Sequence, residues 1–334
     1  MKNKGFLSDL EAFFDVYLPK SRGVSPNTIK SYKYAFRLLF EYLLSEKGVK
    51  ASAVTYARLD QEAIKGYLVW LCEKRNCSAS TRNLRLAALS SFSAYASNSL
   101  KADSLSFTKA VGGQARKKEA KRQLSFFTNE EVKILLSLPN ERKGRGYRDK
   151  VLLSFMYASG ARAQEVCDLR VRDIVGRDDG KSLIAIRGKG SKVRRVTIPS
   201  NCASMLAKYI KRCKLEGENH VFQSQTHEHM TISCIEEIFK KYVSIAKRDN
   251  PGLFAKAYSP HSMRHTTATH MVECGVPLIV IKNFLGHASL DTTQIYAEVT
   301  QATMDKYIME WNETSDIKPT GQPTKSNNIP VFLY

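Results

Sequence analysis

The chain has 334 residues, 43% apolar and 25% charged, enough for a sizeable core without disulfide or metal staples and suggestive of two domains. Lys and Arg number 52 against 32 Asp and Glu, and the net charge of +20 points to a polyanionic partner, nucleic acid ahead of an anionic membrane surface. Apolar runs long enough to cross a membrane and an apolar secretion segment after Met1 are both lacking, and the seven cysteines show no CxxC spacing, so reduced thiols in a cytoplasmic, nucleoid-associated protein are expected.

Residues 1–107 read as a helical bundle. Leu7, Leu10, Phe13, Phe14 and Tyr17 share one helical face. Ser25-Pro26 starts a helix predicted to run to about Leu44, with Ser as cap and Pro in the first position. Asp60 caps a third helix over 61–74, where Ile64, Tyr67, Leu68 and Leu71 align, and Ser80 opens a fourth that ends near Ala96. Residues 108–124 break the pattern with Gly112-Gly113 and a basic excess that includes Arg116, Lys117, Lys118, Lys121 and Arg122. This segment is read as a flexible basic linker, either a solvated hinge or a DNA-binding strap along a phosphate backbone.

A second domain is predicted over 125–312. Thr128 and Glu131 have capping-box spacing ahead of Val132, Leu135 and Leu136, and an apolar helix follows over 147–159. Residues 182–187 and 192–198 read as two strands joined by a turn at Gly188-Lys189-Gly190-Ser191. Ser259-Pro260 and Pro277 start helices that Gly275 and Gly286 end. Residues 313–334, polar and proline-bearing, are predicted to form a mobile tail. The fold class expected is mainly α with a small β-sheet, an α+β domain behind a helical bundle.

Several polar residues sit at tight helix ends. Arg162 follows Gly160-Ala161, with Glu165 on the same face of the turn. His261 and Arg264 project side by side from a helix N-terminus, which favours an anion. His287 follows Gly286 where the chain turns, and Tyr296 lies in the next short helix, which either Ser289 or Asp291 could cap. A hydroxyl that attacks a DNA phosphodiester needs cations for the extra phosphorane charge, an acceptor for the phenol proton and an acid for the departing sugar oxygen. Arg, His and Lys can supply all three. With no carboxylate cluster suited to Mg²⁺ and no GxxxxGK[ST] loop, neither a metal nor a nucleotide cofactor is expected.

The pieces ASGARAQEVCDLR (158–170), IRGKGSKVRRVTIP (186–199), SPHSMRHTTATHM (259–271) and VPLIVIKNFLGHASLDTTQIYAEV (276–299) resemble, in order and spacing, the tyrosine recombinases of the phage-integrase and Xer type. The likeness is close over 125–300 and looser over 6–107, where the family has a SAM-like core-binding domain. It implies that Arg162 and Arg264 bind the non-bridging oxygens of the scissile phosphate and that Tyr296 is the nucleophile. It further implies that His261 exchanges a proton with Tyr296, that His287 donates to the phosphate and that Glu165 orients the site. Lys189 matches the hairpin acid for the 5′-oxygen, with Lys192 a competing candidate. Ala161, Ala163, Met263 and Glu298 depart from the family's commoner residues without removing a catalytic group.

The activity so implied is cleavage and rejoining of double-stranded DNA through a 3′-phosphotyrosyl intermediate and a Holliday junction, without ATP or metal. The enzyme would act as a tetramer on two sites, alone or with a partner recombinase, and would clamp the duplex with the linker crossing it. Residues 304–311 would either be exchanged between protomers or pack on their own domain. The competing readings are relaxation of the type IB topoisomerase kind and a catalytically silent or regulatory DNA-binding member of the family.

Overall fold

The computed structural model describes residues 5–98, 102–119, 124–188, 192–224 and 227–287, together with Ser289, Thr293 and Tyr296. Lys189, Lys121, Arg122, Glu298, residues 304–311 and residues 313–334 therefore lie outside the described residues. The chain divides into two units, residues 1–122 and 123–334.

In the first unit, α1 (Phe6–Ala12) passes directly into a π-helical stretch, Phe13–Ser21, with Pro19 inside it. α2 (Pro26–Lys47) begins where the sequence predicts, the Ser25 side chain accepting from the Thr28 N–H, and ends at Gly48 in the left-handed region. α3 (Gln61–Glu73) is capped by Asp60, which accepts from the Ala63 N–H. α4 (Ala79–Ser97) is capped by Ser78 rather than Ser80, because Ser78 is the residue whose extended backbone lets its oxygen reach Thr81 N–H. α5 (Ala102–Gly112) was not anticipated and runs across the expected boundary at 107/108. Its Phe107 is fully buried against Phe6, Tyr56 and Phe92, so the bundle's aromatic core claims this helix.

Beyond α5 the described part of the basic segment is tied down. Arg82 Nη1 donates to the Ala115 carbonyl at 2.6 Å. Asn83 pairs with Lys117 in both directions, donating to its carbonyl at 2.8 Å and accepting from its N–H at 3.0 Å. The side-chain amide thus imitates a neighbouring strand, and residues 115–119 follow α4 instead of hanging free as the glycine-rich composition suggested.

The second unit opens with α6 (Asn129–Ser137), whose Thr128–Glu131 capping box is formed as predicted. Glu131 does more than cap. Its buried carboxylate also accepts from Phe254 N–H at 2.8 Å and Tyr258 hydroxyl at 2.9 Å. α7 (Gly144–Ser159), with Leu152, Phe155 and Met156 fully buried, is the spine of the core. The short α8 (Ala163–Cys167) leads to an antiparallel sheet of β1 (Ile174–Gly176), β2 (Ser182–Arg187) and β3 (Val193–Ile198), in that order. β1, too short for an alternation to show, escaped the sequence reading; it pairs Ile174 with Ile184. Ile184 and Ile186 of β2 and Val196 and Ile198 of β3 point to the core.

α9 (Ser200–Arg212) and α10 (Ile232–Asp249) pack amphipathic faces on this core. α11 (Pro260–Glu273) is different, since it buries Ser262, Arg264, Thr266, Thr267, Thr269 and His270. Most find internal partners: Thr267 donates to Tyr157 O at 2.8 Å, Thr266 accepts from Phe127 N–H at 2.9 Å, and His270 bridges the Tyr157 hydroxyl and Phe127 O. α12 (Leu278–Leu285) ends at Gly286, again left-handed. Among the described residues no helix is long and apolar enough to cross a membrane.

Candidate active site

Arg162 occupies the N-cap of α8 with extended backbone, so its own N–H is free to bond Glu165 Oε2 at 2.8 Å. Its guanidinium returns to the same carboxylate, Nη1 to Oε1 at 2.7 Å. Arg194 completes the group from β3, donating to both oxygens of Glu165 at 2.9 and 2.8 Å, while its Nε holds the Phe284 carbonyl at 2.9 Å. Burial would raise the Glu165 pKa, but the hydrogen bonds and charge of Arg194, then Arg162, outweigh it and hold the carboxyl below its ordinary value. The sequence reading missed Arg194. The available signal was the strand alternation, which places residue 194 on the inward face with Val196 and Ile198.

Arg264 is 1% exposed, and its two terminal nitrogens donate to main-chain carbonyls, Gly160 O at 2.7 Å and Leu285 O at 2.6 Å. These carbonyls close α7 and α12, whose last turns leave such groups without helical partners and carry the negative end of the helix dipole. Gly160 is required there: its φ is +58°, and a Cβ would lie 2.8 Å from Leu285 Cδ2. Burial, then the charges of Arg162 and Arg194, push the Arg264 guanidinium down to about 9, which leaves it charged at neutral pH. Its Nε finds no hydrogen-bond partner among the described residues.

Tyr296 is 1% exposed and sits among three histidines. Its hydroxyl is 2.9 Å from His265 Nδ1, and the His287 ring lies parallel to its own at 6.4 Å between centroids. His261 meets the His265 ring edge-on at 4.5 Å and forms no hydrogen bond to Tyr296. His287 Nδ1 is paired with the buried Thr293 hydroxyl at 2.9 Å. Burial and then neighbouring cations depress all three imidazoles, His265 and His287 to about 4. Burial pushes the Tyr296 phenol up, and the charges of Arg264 and Arg162 offset part of that. His265 was also missed, although it stands four residues after His261 and so shares its helix face.

A cleft of about 520 Å³ is lined by Arg162, Lys192, Arg194, Lys282 and His287. Lys192 of the hairpin thus lines the same cleft as Arg162 and His287, whereas Lys189 lies outside the described residues. A separate cleft of about 610 Å³, lined by Arg148, Asp149, Met230 and Lys241 among others, contains none of the expected catalytic residues. Among the described residues no group of three or more His, Cys, Asp or Glu side chains could hold a metal ion.

The first unit carries its own basic surface. Arg116, Lys117 and Lys118 are exposed on the segment that Asn83 holds. A cleft of about 510 Å³ is lined by Lys30, Lys33, Tyr34, Arg37 and Arg85, with the Arg37 and Arg85 guanidiniums 4.7 and 4.8 Å from the Tyr34 ring centroid. The sequence reading did not single out this group, which unites two helices distant in sequence.

Comparison with known proteins gives two family matches, to the phage integrase family over residues 125–303 and to the phage integrase N-terminal SAM-like domain over residues 10–99. The tyrosine recombinase XerC of Chlamydia caviae is 30% identical over 314 residues, covering 88% of this chain and 95% of its own. The tyrosine recombinase XerD of Halalkalibacterium halodurans is 29% identical over 289 residues, covering 85% and 90%. In fold, the chain resembles the XerH site-specific recombinase bound to a palindromic difH substrate, with a TM-score of 0.67 at 20% identity over 88% of this chain and 83% of that one. It also resembles the Tn1549 transposon integrase in complex with transposon right end DNA, with a TM-score of 0.65 at 17% identity, covering 89% and 96%.

Proposed function

Because the chain belongs to the phage integrase family, whose catalytic match spans residues 125–303, we propose that it is a site-specific DNA recombinase that cuts and rejoins strands through a phosphotyrosyl link at Tyr296. The observation that carries this reading is the meeting, around one buried tyrosine hydroxyl, of the arginines Arg162 and Arg264 and the imidazoles of residues 261, 265 and 287.

Each step has a group suited to it. Arg162 and Arg264 hold the non-bridging oxygens of the scissile phosphate and stabilise the charge that grows in the transition state. His287, neutral at physiological pH, donates a hydrogen bond to the same phosphate. Tyr296 attacks phosphorus and displaces the 5′-oxygen, which takes a proton from the hairpin lysine, Lys189 or Lys192. Glu165 and Arg194 fix the direction of Arg162. The phosphotyrosyl link keeps the energy of the broken bond, so rejoining calls for neither ATP nor metal.

The partner is double-stranded DNA at two recombination sites, engaged by a tetramer of this chain or with a partner recombinase and resolved through a Holliday junction. Arg116, Lys117, Lys118, Lys121 and Arg122, with the Tyr34–Arg37–Arg85 surface, follow the phosphate backbone. The two units are proposed as a core-binding domain and a catalytic domain joined through that basic segment.

The test is covalent trapping on nicked duplexes drawn from DNA that flanks the gene, without metal or ATP. A protein–DNA adduct that survives denaturation and disappears in Tyr296→Phe is expected. Retardation of DNA with no adduct on any fragment would favour a silent member of the family, and an adduct that persists in Tyr296→Phe would move the nucleophile elsewhere.

A further inference from the structure

We propose that His265, rather than His261, is the residue that accepts the Tyr296 proton in the cleavage step. The inference rests on the recombinase reading above and concerns a residue to which that reading assigns no step.

Geometry separates the two histidines. His265 Nδ1 is 2.9 Å from the Tyr296 hydroxyl, the one hydrogen-bond partner that oxygen has among the described residues. His261, one turn earlier on α11, is exposed and touches the His265 ring rather than the phenol. Proton transfer needs a hydrogen bond first and a matched pKa second. His265 has the contact, and it is held on a helix whose next-door residue, Arg264, is fixed by two carbonyls.

The proton balance closes without a further reactant. The bond from Tyr296 Oη to phosphorus forms as the phenol proton passes to Nδ1 of a neutral His265 that already carries its proton on Nε2. The bond from phosphorus to the 5′-oxygen breaks, and that oxygen takes its proton from the hairpin lysine. Rejoining reverses each transfer. His265 is faced by His261 and Arg264 from its own helix and by Tyr296 across the site, with the His287 ring parallel to the phenol ring. Burial, and after it the charges of His261 and Arg264, hold the imidazole unprotonated at neutral pH. An incoming phosphodiester anion counters their field and makes the imidazolium easier to form as the tyrosine attacks.

Two measurements test the assignment. In ¹⁵N spectra of the DNA-free protein at neutral pH, His265 should show a neutral ring with a bare Nδ1 and a protonated Nε2, and its Nδ1 signal should move in Tyr296→Phe. A proton on Nδ1 would mean that the ring donates to the phenol and would overturn the proposal independently of any DNA chemistry. Single-turnover adduct formation is then followed from about pH 6 to about pH 9 on the trapping duplexes. His265→Ala and His265→Asn should both slow it by roughly 10²–10⁴-fold and should both gain about tenfold per pH unit, as the phenol ionises unaided. Wild type should stay nearly flat.

Asn keeps an acceptor close to the position of Nδ1 but cannot hold a proton, so it separates tethering from base catalysis. A His265→Asn rate near wild type would reduce His265 to a tether and overturn the proposal. So would the steep pH dependence appearing in His261→Ala and not in the His265 variants. A wild type that forms no adduct on any duplex defeats the recombinase reading and this role together, whereas a protonated Nδ1 defeats this role alone.

Discussion

Replacing Glu165 by Gln removes one negative charge from the centre of the site while keeping the side chain's volume. The wild-type carboxylate accepts four hydrogen bonds, two from Arg162 and two from Arg194. A Gln amide offers one oxygen, and its NH₂ must then face a guanidinium donor. The Glu165 and Arg194 side chains are 4% and 11% exposed, so water does little to replace what is lost. Breaking a buried ion pair from one side costs about 3–5 kcal/mol. The lower end applies here, because Arg194 keeps the Phe284 carbonyl and Arg162, 37% exposed, can turn to solvent.

A loss of about 3 kcal/mol in a domain of this size lowers Tm by roughly 6–12 °C. The assay is thermal unfolding of wild type and Glu165→Gln by circular dichroism over a range of pH. The sign follows from a folded-state pKa held below its ordinary value of 4.5. The carboxylate's contribution is complete above that value and disappears as pH falls through the depressed one. The gap between the two proteins should therefore be constant near neutrality and close in acid. A gap below about 1 kcal/mol at neutral pH, or one that stays constant in acid, would refute the reasoning.

Other outcomes follow from the same geometry. Gly160→Ala forces a left-handed φ on an L-residue and drives its Cβ at Leu285, so urea denaturation should show a loss above about 1 kcal/mol, and DNA retention should weaken as the Arg264 anchor shifts. Asn83→Ala removes both bonds to the Lys117 backbone, so the amide of Lys117 should exchange faster and trypsin should cut sooner after Arg116, Lys117 and Lys118. His265 and His287 have folded-state values of about 4 against an ordinary 6.5, so their contribution to stability is complete above 6.5 and is lost as pH falls towards 4. Denaturant midpoints should drop over that window, and less steeply in His287→Asn.

Local chemistry was legible in the sequence wherever one residue type forces one backbone conformation. Ser25-Pro26, Asp60, the Thr128–Glu131 box and the glycines after α7 and α12 each mark an element boundary that the fold reproduces. What stayed hidden depends on tertiary partners. α5 has little pattern of its own and is helical because Phe107 completes an aromatic cluster drawn from three other segments. Asn83 reads as an ordinary helix residue until the segment at 115–119 lies against it. Arg162, Arg264, His287 and Tyr296 stood out through the resemblance of their motifs to those of a known family. Arg194 did not, because an arginine on the inward face of a strand is tolerable only with a buried carboxylate waiting for it, and that carboxylate belongs to another element. His265 was overshadowed by its neighbours in the same motif, and only the position of the phenol sets it apart.

Arg264 ties two helix ends together with the same guanidinium proposed to meet the substrate. Lysine, a single point of charge on a flexible stem, cannot span both carbonyls, so the exchange usually thought mildest is not mild here. In terms of inheritance, no single substitution at this codon strips the cation and leaves the scaffold whole. A gene copy drifting out of use that loses Arg264 would be expressed as an unstable protein, cleared by proteases, rather than persist as a folded but inert one.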